Sequence, residues 1–136
     1  MREMDFSMGF VLDFDARNNI LRVTVEGRVT DAILLDFYAT TAKYVASHPC
    51  RGILDFSEVT EFEASSDTIR KLAATPPAFP PAYMRVFVSS EAFIYGMGRM
   101  FQILSEKARP NFQVVHTMDE AYRLLRVESP EFSPVS

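Results

Sequence analysis

Gly52-Ile53-Leu54-Asp55-Phe56 is the stretch on which the reading of this chain turns. It is short and apolar, as a central strand covered on both faces is, although a run of this length also fits a piece of buried helix. Taken as a strand, it gives the rest of the chain its order. Immediately before it, Ile33, Leu34, Phe37, Tyr44 and Val45 recur at helical spacing, with Thr30 or Asp31 placed to cap the helix and Pro49 to stop it. Immediately after it, a polar stretch from Ser57 to Ser66 leads into a short helix carrying Ile69, Leu72 and Ala73.

Further out on the N-terminal side, Met8, Phe10, Leu12 and Phe14 fall on one side of an extended segment. Leu21, Val23 and Val25 alternate with Arg22, Thr24 and Glu26 in the next. The linker Asp15-Ala16-Arg17-Asn18-Asn19 has turn chemistry, because Asn and Asp tolerate left-handed φ and bond their own backbone. The two segments therefore predict an antiparallel hairpin, ended by Gly27.

On the C-terminal side, Pro76-Pro77-Ala78-Phe79-Pro80-Pro81 terminates the short helix and stiffens the passage to a strand at Met84-Arg85-Val86-Phe87-Val88. Ser90 is placed to cap a third helix with Phe93, Ile94, Met97, Met100, Phe101 and Leu104 as its stripe, closed by Pro110. Phe112 to Val115 predicts a last strand. Thr117-Met118-Asp119-Glu120 has capping-box spacing for a final helix bearing Ala121, Leu124 and Leu125.

The predicted order is β-β-α-β-α-β-α-β-α. A strand reached through a helix normally runs parallel to its predecessor by a right-handed crossover. The fold class is α/β: a single mixed, mostly parallel five-stranded sheet, antiparallel only at its first strand, with about four helices. One domain is expected over residues 1–126, followed by a flexible C-terminal tail over 127–136, where the sequence turns polar and proline-rich.

With 136 residues, 48% hydrophobic and 24% charged, the chain has enough apolar material for one continuous core. A net charge of −4 disfavours nucleic acid and anionic membrane surfaces as partners, since both call for clustered cations. Cys50 is the sole cysteine, and His48 and His116 the two histidines, which is too few for a ligand set; no metal or cofactor is expected. Cys50 reads as a small buried hydrophobe and His48 as a residue at a helix C-terminus. No apolar run approaches a membrane span and the first residues lack a secretory pattern, so a cytoplasmic location is expected.

The element order, joined to Leu54-Asp55-Phe56-Ser57-Glu58-Val59-Thr60-Glu61-Phe62-Glu63-Ala64-Ser65-Ser66, resembles the STAS domain of bacterial anti-sigma-factor antagonists. In that family the third strand reads Leu-Asp-Leu-Ser, and a loop leads to Asp-Ser-Ser-Gly at a helix start. Aligned without gaps, Glu63 takes the Asp place, Ala64 and Ser65 the serines, and Ser66 the glycine. A one-residue insertion instead puts Ser65 and Ser66 on the serines and Asp67 on the glycine. The helix containing Gly96-Met97-Gly98-Arg99-Met100-Phe101 is also similar to one in the divergent bacterial STAS/SEC14-like branch. The resemblance spans about Met8 to Arg126.

In open α/β sheets, ligands usually meet the carboxyl ends of the parallel strands, here Asp55 and Ser57, Ser89 and Ser90, His116 and Thr117. A Ser, a His and an Asp in one region suggest a hydrolase, but no Gly-x-Ser-x-Gly elbow is present and the serines serve as caps, so no catalytic residues are assigned. What the resemblance implies is a non-enzymatic regulatory module that binds another protein, with Ser57, Ser65 and Ser66 near the contact or as phosphorylation sites. The simpler role for Ser65 and Ser66 is an ordinary helix cap.

The alternative is a carrier or sensor of a small apolar or lipid-like ligand, which SEC14-like kinship suits. Its pocket would lie between the third helix, the proline loop and the sheet, bounded by Phe79, Tyr83, Phe93, Tyr95 and Met97 in a core of twelve Phe and seven Met. Gly96 and Gly98 each cost the third helix about 1 kcal/mol relative to Ala, which predicts a compensating close approach there. A homo-oligomer is left open.

Overall fold

A computed structural model describes residues 9–135; Met8, assigned above to the first strand, and Ser136 lie outside them. The elements are β1 (Phe10–Asp15), β2 (Ile20–Val29), α1 (Asp31–Ser47), β3 (Arg51–Phe62), α2 (Ser66–Ala74), β4 (Arg85–Val88), α3 (Ala92–Leu104), β5 (Phe112–Val115), α4 (Met118–Leu125) and β6 (Ser133–Pro134). They build one mixed sheet in the order β5-β4-β3-β2-β1-β6. β2, β3, β4 and β5 run parallel, whereas β1 is antiparallel to both β2 and β6. The α/β class, the order of the first nine elements and the four helices match the sequence reading.

Among the described residues the expected five strands are six. Val127 is buried, and the chain beyond it runs back along β1, where Glu131 donates its N–H to Asp15 Oδ2 at 3.0 Å and Val135 donates to the Leu12 carbonyl at 3.0 Å. The side chain of Phe132 lies under the guanidinium of Arg22, 4.2 Å from its ring centre. A segment read as a flexible tail thus supplies a short edge strand, held by backbone hydrogen bonds that leave no hydrophobic period in the sequence.

Two further boundaries move. β3 continues through the polar stretch to Phe62, pairing with the far end of β2. The hairpin pairing with β1 ends just before Gly27, as expected, but β2 runs on to Val29 against β3; Gly27 sits inside the strand at φ +71°, where the pairing with β3 shifts register, a backbone state that glycine adopts without a Cβ penalty. The turn expected between β1 and β2 is present, with Asn19 at φ +54°.

Alternation along the strands divides the core. On one face Phe10, Leu21, Val23, Leu54, Phe56, Phe87 and Phe112 meet α1, α2 and α3 through Leu34, Phe37, Ile69, Leu72 and Ile94. On the other, Ile20, Ile53, Val86, Val88 and Val115 are covered by Ala121 and Leu125 of α4 and by Val127. Caps fix the helix starts: Thr30 accepts from the Ile33 N–H at 3.3 Å, Ser65 from Thr68 at 3.2 Å, and Thr117 with Glu120 forms the expected capping box. For α3 the cap is Glu91, not Ser90; its carboxylate accepts from the Ile94 N–H at 2.9 Å, while Ser89 Oγ accepts from the N–H of Glu91.

Candidate functional site

Between the sheet and the three-helix layer lies a cavity of about 100 Å³ lined by side chains of α1, β3, α2, the proline loop, β4, α3 and β5. Most of its wall is apolar: Leu34 and Phe37 from α1, Leu54 and Phe56 from β3, Ile69 from α2 and Phe87 from β4. Half-buried Tyr38, Phe62, Ala78, Met97 and Phe101 form the part of the wall nearest the surface.

Small residues shape two sides of it. Gly52 stands in register between β2 and β4, and a Cβ there would fall 2.4 Å from Phe79 Cζ, so the ring of Phe79 rests directly on bare backbone. Gly98 does the same for Phe87, whose Cδ1 would be 2.6 Å from an added Cβ. The close approach expected at the two α3 glycines thus occurs at Gly98. A Cβ on Gly96 would meet nothing within 4 Å.

Besides the Tyr38 hydroxyl, which donates to the Pro76 carbonyl, three polar side chains line the cavity: Thr41, Arg85 and Arg109. Arg85 opens β4 and, at 2% exposure, is the largest fully buried side chain among the described residues. Its Nη1 donates to the carbonyls of Tyr83 at 2.8 Å and Pro81 at 3.4 Å, pinning the end of the proline loop, but its Nη2 has no hydrogen-bond partner. Arg109, 5% exposed, donates to the carbonyls of Ala73, Leu72 and Thr75 at the end of α2 and stacks over Phe101 at 4.8 Å. Thr41 Oγ1 is buried without a partner.

Burial pushes the Arg85 guanidinium down to about 10, and the nearby charge of Arg109 acts in the same direction; Arg109 is lowered as well, chiefly by burial. Both remain cationic at neutral pH. Among the described residues neither takes part in an ion pair.

Of the pocket residues expected from the sequence, Phe79 and Met97 line the cavity. Tyr83, Phe93 and Tyr95 stand elsewhere: Tyr83 offers its carbonyl to Arg85, Phe93 is exposed and packs edge-on against Phe62, and Tyr95 stacks on His116 at 4.0 Å. Arg85 and Arg109 were missed by the sequence reading. The available signal was an arginine inside the apolar run 84–88, where both strand faces are covered.

The serines are engaged locally. Ser57 donates its N–H and its hydroxyl to Asp55 Oδ1 at 2.9 and 2.5 Å. Ser65 caps α2 and donates its own N–H to Asp31 Oδ1 at 2.7 Å, the bond that chiefly holds the Asp31 carboxyl below its ordinary range. Ser66 begins α2 and is exposed. His116 stacks on Tyr95, and no hydrogen bond joins it to a serine among the described residues. Cys50 is fully buried, and burial pushes its thiol up to about 11. His48 caps the C-terminal end of α1, its ring stacked on Tyr44 at 4.4 Å.

Among the described residues no helix is long and apolar enough to cross a membrane, and no three His, Cys, Asp or Glu side chains gather where a metal ion would be held. Compared with known proteins, the chain matches no protein-family model and no curated protein.

Proposed function

We propose that this chain is a non-enzymatic binding module that takes a small apolar ligand into the cavity between the sheet and the helices α1, α2 and α3. The observation behind this reading is the cavity itself. Protein interiors are close-packed and contain few spaces larger than a water, and this one, of about 100 Å³, is bounded mainly by apolar side chains. A fitting apolar molecule would gain the transfer of its own apolar surface out of water.

The STAS-type element order and the Leu54–Ser66 segment support a kinship with the STAS/SEC14-like branch, within which an apolar-ligand role fits. The partner-binding reading centred on Ser57, Ser65 and Ser66 has less behind it. A phosphate on Ser65 would stand beside the Asp31 carboxylate that already accepts its N–H, and Ser57 is tied to Asp55.

Calorimetric titration with hexan-1-ol tests the proposal against an Ala78→Trp variant, in which an indole replaces a methyl on the cavity wall. The parent is expected to bind and the filled variant, shown to be folded by its melting curve, to lose binding. Equal binding by the two would place the alcohol elsewhere and refute the proposal.

A further inference from the structure

The polar groups in the cavity wall narrow the chemistry of its ligand. A buried guanidinium without an anion is costly, because water is withdrawn and nothing replaces its charge compensation. Here two buried arginines line one cavity, and carbonyls satisfy only part of their donors: Arg85 Nη2 bonds nothing, and no carboxylate pairs with either residue among the described ones. Arg109 is explained by the fold, since its three bonds tie down the end of α2. Arg85 is explained only through Nη1.

A methionine or leucine at position 85 would fill a covered strand without this penalty. Thr41 repeats the pattern on the α1 side, with a buried hydroxyl on the cavity wall lacking any partner where valine has the same shape. Leaving such groups unpaired is what a binding site does when its ligand supplies the partner.

We propose, building on the apolar-ligand reading above, that the cavity selects a small apolar monocarboxylate, its hydrocarbon part against Leu34, Phe37, Leu54 and Phe87 and its carboxylate on Arg85. Arg85 has a single free nitrogen, Nη2, which suits one carboxylate better than the larger oxygen set of a phosphate. Arg109 adds positive potential from the same wall without giving up its carbonyl bonds. The pairing is charge-assisted and shielded from water, the setting in which such bonds are strongest.

Parallel titrations of the parent and Arg85→Met with hexanoate and with hexan-1-ol at neutral pH test this. The parent is expected to prefer hexanoate by about tenfold or more, as one charge-assisted hydrogen bond supplies, and Arg85→Met to lose that preference while keeping its affinity for the alcohol. If Arg85→Met does not fold, the guanidinium NMR signals of Arg85 in the parent decide the matter: hexanoate should shift them and hexan-1-ol should not. Equal affinities of the parent for the two probes, or an unmoved Arg85 signal, would overturn the carboxylate proposal and leave the apolar pocket standing. Binding of neither probe would overturn both.

Discussion

Gly98 of α3 and Phe87 of β4 are in direct contact, the ring lying where a side chain on residue 98 would begin, with Cδ1 only 2.6 Å from an ideal Cβ. Helix and strand approach this closely because residue 98 has no side chain. Gly98→Ala should therefore lower the melting temperature, since the ring must move within a packed layer at a cost of about 1–3 kcal/mol, outweighing the roughly 1 kcal/mol gained in helix propensity. Gly96→Ala, where a Cβ meets nothing within 4 Å, keeps only the propensity gain and should stabilise by up to about 1 kcal/mol. Thermal melts of the two variants check the pair, and shifts of the same sign would contradict it.

The fully buried Asp15 accepts from the backbone N–H of Asn18 at 3.0 Å, from Asn18 Nδ2 at 2.7 Å and from the Glu131 N–H at 3.0 Å. Burial alone would raise its pKa, but these bonds, led by the one from Glu131, overcome it and the carboxyl is lowered. A lowered folded-state pKa gives stability that is present above the unfolded value near pH 4 and lost as pH falls through the folded value. Asp15→Asn should cost about 1.5–3 kcal/mol at neutral pH, with the gap to the parent closing as the pH is taken below about 4. Denaturant unfolding at several pH values measures this, and a gap that widens in acid would contradict it.

Cys50 combines full burial with a thiol pushed up to about 11, so almost no thiolate exists at neutral pH and no reagent can reach it. A disulfide-exchange reagent should leave the native protein unlabelled and modify about one thiol per chain once denaturant is added. Prompt labelling of the folded protein would mean that the end of α1 opens readily.

Much of this architecture was legible where local chemistry and tertiary structure agree. The alternation of Leu21, Val23 and Val25, the turn at Asn19 and the box formed by Thr117 and Glu120 each follow from contacts within a few residues. What was not legible depends on distant partners. The second half of β3 is polar because, beyond Phe56, it buries Val59 but leaves Ser57, Glu58, Thr60 and Glu61 exposed, and only pairing with Glu26–Val29 makes it a strand. β6 has two residues and no apolar period; a backbone bond to Leu12 holds it. Ser90 has the right residue type for a cap, but the chain reaches α3 one residue later and Glu91 does the work.

The cavity divides in the same way. Phe79 and Met97 were visible as aromatic and thioether side chains near the proline loop. The arginines were not, because sequence alone places an arginine at the surface, and its burial appears only once Gly52, Arg85 and Phe112 align across three strands.

Occupation of this cavity by an apolar molecule is tested most directly by amide chemical-shift mapping of the isotope-labelled protein during titration with hexan-1-ol. Shifts concentrated at Leu54, Ile69, Phe87, Met97 and Phe101, saturating together with one dissociation constant, are the expected result. Shifts confined to the exposed α3 residues Phe93, Ile103 and Leu104, or none at concentrations near the solubility of the alcohol, would contradict binding in the cavity.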